Sequence, residues 1–185
     1  SSAASDVYKR QIHTGTMTAE EVVPTLSPSM DIQISSNLER LLFELLGANG
    51  PATAELLTDF RASGSASLRP EQHAELIAGF AGGRLDDTET LNVIRDIHDS
   101  TGMLVEPHTA VGIGVARRLR RIDETVVTLA TAHPAKFPDA VEQATGVRPP
   151  LPAHLADLYE RTERVTDLPN DLATVEDFVD SVRYR

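Results

Sequence analysis

The sequence predicts an α/β fold: a partial parallel sheet with flanking helices and a helical insertion at about residues 36–80. Three observations carry this. From residue 87 onward, helical and apolar extended segments alternate. They are a helix over 87–101, the run Met103-Leu104-Val105, a helix over 108–120, the β-branched run Thr125–Ala130, and a helix over 134–143. Such alternation is the pattern of parallel βαβ units. Both extended runs are apolar on two faces, as strands covered by helices are. Aromatic residues are only 4% of the chain and Trp is absent, so a core drawn from its 41% hydrophobic residues must be mainly Leu, Ile, Val and Ala. That composition suits helices on a small sheet.

The elements follow in order. The opening Ser1–Gln11, SSAASDVYKRQ, matches nothing around it and reads as a non-native leader, outside the fold. Residues 12–35 are rich in Thr, Ser and Pro with little periodicity, and TLSPSMDIQIS (25–35) reads as an ordered loop or short extended piece, because Pro24 and Pro28 exclude a regular helix through it. Ser36 or Asn37 caps a helix with Leu38, Leu41, Leu42 and Leu45 on one face, and Gly47 ends it. Two more helices are expected at 51–62 and 70–78, separated by a flexible stretch, Ser63–Ser67. Gly82 and Gly83 place a short strand or turn at 80–84. Asp86 or Asp87 caps the helix whose apolar positions are Leu91, Ile94 and Ile97, and Gly102 stops it. Beyond the alternating region, helices are expected from Leu151 to about Glu163 and from Thr174 to Arg183.

Composition excludes several functions. The formal net charge of −11 disfavours nucleic-acid binding through a general basic surface, because phosphates would be repelled. With no cysteine there are no disulfides, thiolate nucleophiles or Cys-based zinc sites. No apolar run approaches the roughly 20 residues that span a bilayer, so no membrane partner is expected. The acidic surface suits a cytoplasmic protein. The six histidines, at 13, 73, 98, 108, 133 and 154, show no ligand spacing, and no metal site is expected.

Four segments are distinctive: TLSPSMDIQISSNLERLLFELLG (25–47), TGMLVEPHTAVGIGVARR (101–118), TLATAHPAKFPDAVEQATG (128–146) and LYERTERVTDLPND (158–171). Through them the chain resembles the longer form of threonine synthase, a fold-type II pyridoxal-phosphate enzyme family, from about residue 22 to its end. The resemblance implies the C-terminal portion of a two-domain lyase fold with the cofactor in the cleft between domains. It implies conversion of O-phospho-L-homoserine and water to L-threonine and phosphate, with pyridoxal 5'-phosphate as cofactor. The family's Schiff-base lysine lies in an upstream Phe-Lys-Asp type motif. The lysines here, Lys9 and Lys136, stand in no such context, so no catalytic residue is assigned to this chain. Two rivals remain: a related phospho-lyase with another substrate, and a non-catalytic helical binding module.

The resemblance also implies that Thr131, at the carboxyl end of the second extended run, offers its hydroxyl to the cofactor's pyridine nitrogen. Open α/β sheets bind ligands at such ends. A neutral hydroxyl there leaves that nitrogen mostly unprotonated. The bland alternative is a Thr that caps the next turn. His108, after Glu106-Pro107 at a strand-to-helix turn, and His133 are candidates for lining the pocket. For His133 and Lys136 a turn and helix start at Pro134 serves as well. Ser27, Ser29, Asp31 and Asn37 either line the substrate side or lock a loop, with Asn37 a helix cap. Thr109 is a candidate cap for the helix at 108–120. Arg117, Arg118, Arg120 and Arg121 form a solvated helix end, where cations oppose the dipole favourably.

Overall fold

A computed structural model describes residues 11–32 and 37–183, and the chain divides into two compact units, 1–150 and 151–185. Nearly all of the proposed leader and Ser36, one of the proposed caps, lie outside the described residues. Gln11, its last residue, is described, helical and buried.

The first half of unit 1 is built on a two-stranded antiparallel sheet. Strand β1 (Thr16–Thr18) pairs with β2 (Ser65–Ser67), with Met17 opposite Ala66. Neither strand is expected from the sequence: no element is assigned to 16–18, and 65–67 lies in the stretch expected to be flexible. Three-residue strands of Thr, Met, Ser and Ala give too short an alternation to stand out, and the pairing is made across the fold rather than along the chain. Helices α1 (Leu38–Leu45), α2 (Gly50–Ser63) and α3 (Pro70–Gly79) complete this half. The 36–80 region is therefore helical on both sides of β2. Met17, Leu38, Leu42, Phe60 and Ala66 form its core. Gly64 closes α2 with φ +74°, a left-handed conformation that lets the chain turn at once into β2.

The second half holds α4 (Asp87–Thr101), α5 (Pro107–Leu119) and α6 (Pro138–Thr145). Asp86 caps α4 in a reciprocal box: its carboxylate accepts the Glu89 N–H at 2.8 Å, while the Glu89 carboxylate accepts the Asp86 N–H at 2.9 Å. Helix α4 packs on both α5 and α6 around Ile94, Val105, Ala110 and Ala144. The Arg95 guanidinium donates to the Ala144 carbonyl at the end of α6, 3.0 Å away. The single helix expected at 134–143 is two pieces, a 3₁₀ turn at Pro134–Lys136 and α6. Pro138, which has no N–H to continue the first piece, divides them.

The α/β class takes the form of a helix-rich chain with a small sheet. The parallel pairing is not made among the described residues: 103–105 and 125–130 run without strand partners. The apolar side chains of 125–130 are correspondingly uncovered, with Val127 80% and Leu129 76% exposed, whereas Val105 finds cover in the helical core. A strand requires a neighbour to take its backbone N–H and C=O groups, and sequence pattern does not supply one.

In unit 2, Leu151–Glu163 holds two 3₁₀ turns, Ala153–Leu155 and Leu158–Glu160, instead of a helix. Neither turn buries a residue, and a helix of this length needs a packed apolar face. Helix α7 (Leu172–Arg183) follows. Asp171 caps it, accepting from the Thr174 N–H at 2.9 Å and hydroxyl at 2.7 Å. No helix among the described residues is long and apolar enough to cross a membrane.

Candidate functional site

Glu106 is the centre of the site. Its side chain is 0% exposed, and it stands immediately before Pro107, the first residue of α5. Pro107 has no N–H, so the first free donors of the helix are those of His108 and Thr109. Glu106 takes both: Oε2 accepts the His108 N–H at 2.9 Å and Oε1 the Thr109 N–H at 2.7 Å. Three side chains add to this. The Thr109 hydroxyl donates to Oε1 at 2.6 Å, the Thr131 hydroxyl donates to Oε1 at 2.8 Å, and His108 Nδ1 lies 2.5 Å from Oε2.

Burial pushes the Glu106 carboxyl up. The hydrogen bonds from Thr109, His108 and Thr131 outweigh it and hold the carboxyl below its ordinary value. Glu106 is thus a buried carboxylate that is ionised at neutral pH, stabilised by five donors and the N-terminus of α5.

The histidine's protons follow from its two partners. The Ser29 N–H donates to His108 Nε2 at 3.1 Å, so Nε2 keeps a lone pair and the ring proton sits on Nδ1, where Glu106 accepts it. Phe137 packs against the ring with centroids 4.6 Å apart. His108 therefore joins the 25–31 loop to the start of α5. That loop is closed on itself: Asp31 accepts the Thr25 N–H at 2.7 Å and the Thr25 hydroxyl at 2.8 Å. Its Leu26 N–H reaches the Asp87 carboxylate at 3.2 Å.

Thr131 is brought to Glu106 by the stretch before it. At Gly112 on α5 an added Cβ would come within 3.2 Å of the Thr128 methyl, so the bare glycine leaves room for the Thr128 side chain against the helix. The Thr131 N–H then donates to the Thr109 hydroxyl at 3.1 Å. Thr131 itself is exposed.

Of the residues singled out from sequence, Thr131, His108, Ser29 and Asp31 converge here, with Asp31 one step back as the closure of the loop. His133 and Asn37 do not join them. His133 is exposed, and its Nδ1 accepts the Ala135 N–H at 3.2 Å at the start of the 3₁₀ turn. Lys136 holds its ammonium 5.8 Å from the Phe137 ring centroid. Asn37 makes no capping bond and instead accepts from Arg40 at 3.2 Å. The cap of α5 is Glu106, not Thr109. The missed signal was an acidic residue directly before a helix-opening Pro, with Thr three positions on. Among the described residues no three His, Asp or Glu side chains converge as metal ligands.

The chain is similar to known proteins. The family described as "Threonine synthase, C-terminal" matches residues 109–179. A threonine synthase of Pseudomonas aeruginosa is 49% identical over 177 residues, 95% of this chain. The chain belongs to the threonine synthase family. It spans 38% of that relative's length. A crystal structure of pyridoxal-phosphate-bound threonine synthase from Brucella melitensis superposes with a TM-score of 0.82 at 42% identity, over 96% of this chain and 38% of that one. Yeast threonine synthase gives a TM-score of 0.78 at 28% identity, over 95% and 40%. The chain's fold is thus that of one part of the threonine synthase structure.

Proposed function

We propose that this chain forms the C-terminal part of a pyridoxal-phosphate-dependent threonine synthase, which converts O-phospho-L-homoserine and water to L-threonine and phosphate. The observation that carries this is the likeness of 96% of the chain to a cofactor-bound threonine synthase at a TM-score of 0.82.

The residues present fit the cofactor. Thr131 is exposed, while the carboxylate that fixes its hydroxyl is fully buried, so a polar group is held firmly at the edge of the network. When bound, pyridoxal phosphate supplies the electron sink for the carbanion chemistry. Thr131 would hold its ring at the pyridine nitrogen. Glu106 fixes the Thr131 hydroxyl and the start of α5, and His108 fixes the 25–31 loop beside them. The lysine that holds the cofactor is assigned to the part of the enzyme that this chain does not span. Lys136 is engaged with Phe137 at the surface. The same upstream part is assigned the strands that pair with 103–105 and 125–130.

The test is phosphate release from O-phosphohomoserine by an enzyme that joins this chain to the upstream region, loaded with pyridoxal phosphate. Turnover to threonine is expected there and none from the 185-residue chain alone. A loaded enzyme that releases no phosphate from this substrate, yet does so from another phosphorylated amino acid, would replace the substrate in this reading.

A further inference from the structure

We propose that Glu106 sets the hydrogen-bond polarity of Thr131, so that the Thr131 hydroxyl accepts from the cofactor's ring nitrogen and that nitrogen is held in its protonated form. The inference rests on the cofactor role proposed for Thr131 and reverses the expectation drawn from a neutral hydroxyl alone.

The argument is a count of protons. A hydroxyl has one proton and two lone pairs. Glu106 has no proton to give, so at 2.8 Å the Thr131 hydroxyl must be the donor. Thr109 cannot relieve it, because the Thr109 hydroxyl also donates to Oε1, at 2.6 Å, and its oxygen receives the Thr131 N–H at 3.1 Å. Only lone pairs of Thr131 Oγ1 remain for a ligand. An unprotonated pyridine nitrogen brought there would set lone pair against lone pair. A protonated one completes a chain from ring N–H to Thr131 Oγ1, and from Thr131 O–H to Glu106 Oε1. The negative charge at its far end favours the positive charge on the ring. Rotating the Thr131 proton toward the ring would take one of five donors from a carboxylate that water does not reach. Glu106 is therefore a positioning residue for the ring's electronics, in addition to capping α5.

The experiment measures the ¹⁵N chemical shift of ring-labelled pyridoxal phosphate in the holoenzyme that contains this chain. With Glu106 in place, the resonance is expected in the protonated-pyridine range. In Glu106→Gln it is expected to move toward the unprotonated range. In Thr131→Ser, which keeps the hydroxyl, it should stay protonated. Circular dichroism checks that each variant is folded, and if Glu106→Gln does not fold, the unsubstituted enzyme decides. An unprotonated signal there overturns the proposal, as does a folded Glu106→Gln whose signal does not move. Failure of the unsubstituted enzyme to bind the cofactor overturns the threonine synthase reading, and this inference with it.

Discussion

Replacing Glu106 with Gln keeps the shape of the side chain and removes its charge, and it cannot satisfy the five donors around it. If the new amide nitrogen takes the Oε2 position, it faces the His108 N–H at 2.9 Å and Nδ1–H at 2.5 Å. Moving the histidine proton to Nε2 frees Nδ1 but sets Nε2–H against the Ser29 N–H, 3.1 Å away. If the amide nitrogen takes the Oε1 position, it faces the Thr109 N–H and two hydroxyls. Either way at least one buried donor is orphaned, at about 1–3 kcal/mol, and the surviving bonds fall from charge-assisted to neutral strength. Relief from burying a charge offsets part of this. A net loss of about 2–4 kcal/mol is expected, measured by urea unfolding followed by circular dichroism. The acid side gives a second arm. Because the folded carboxyl is held below its ordinary value of 4.5, its contribution is present above that pH and fades as the pH falls through the lowered value. Glu106→Gln should remove that part of the acid dependence. A variant within about 0.5 kcal/mol of the original at pH 7, with an unchanged acid profile, would refute the idea that this network stabilises the fold.

Other perturbations follow from the same structure. His108→Ala removes a Glu106 donor and the acceptor of the Ser29 N–H, so hydrogen exchange at Ser29 should accelerate, with a stability loss of roughly 2 kcal/mol by urea unfolding. Thr131→Val, which keeps the volume but loses the hydroxyl, should cost about 1 kcal/mol of stability and, in the loaded enzyme, weaken cofactor binding measured by absorbance titration. Gly114→Ala would drive a Cβ into the Leu85 side chain, which is 1% exposed, and overpacking of this kind should lower thermal stability by about 1–3 kcal/mol. The 185-residue chain alone should self-associate through the uncovered Ile122, Val127 and Leu129; replacing all three with Thr should shift its sedimentation toward the monomer.

The helices were legible where the signal was local. Asp86 with Glu89, and Leu38, Leu42 and Leu45, announce α4 and α1 in the sequence itself. The β1–β2 pair was not legible, because Thr16–Thr18 and Ser65–Ser67 gain their partners across the fold and have no apolar alternation of their own. The reverse held at 125–130, whose β-branched residues read as a strand although no described segment pairs with them. At the site, residue type and motif picked out Thr131 and His108. Their shared partner Glu106 stood in the sequence only as the residue before Pro107, because the convergence of residues 29, 106, 109 and 131 on one point is made across the fold and not along the chain.

Sharing one carboxylate has a consequence for how the sequence can vary. Thr109, Thr131 and His108 do not each hold a private bond; they divide a single acceptor group. Once one donor is lost, the others can shift toward the vacated lone pair, and the second loss is felt differently from the first. Double substitutions among these positions should depart from the sum of the singles, and once Glu106 itself is changed, the worth of all three must be measured afresh. The four positions are thus free to drift only together, as a unit whose members constrain one another more tightly than their spread over 26 residues of chain suggests.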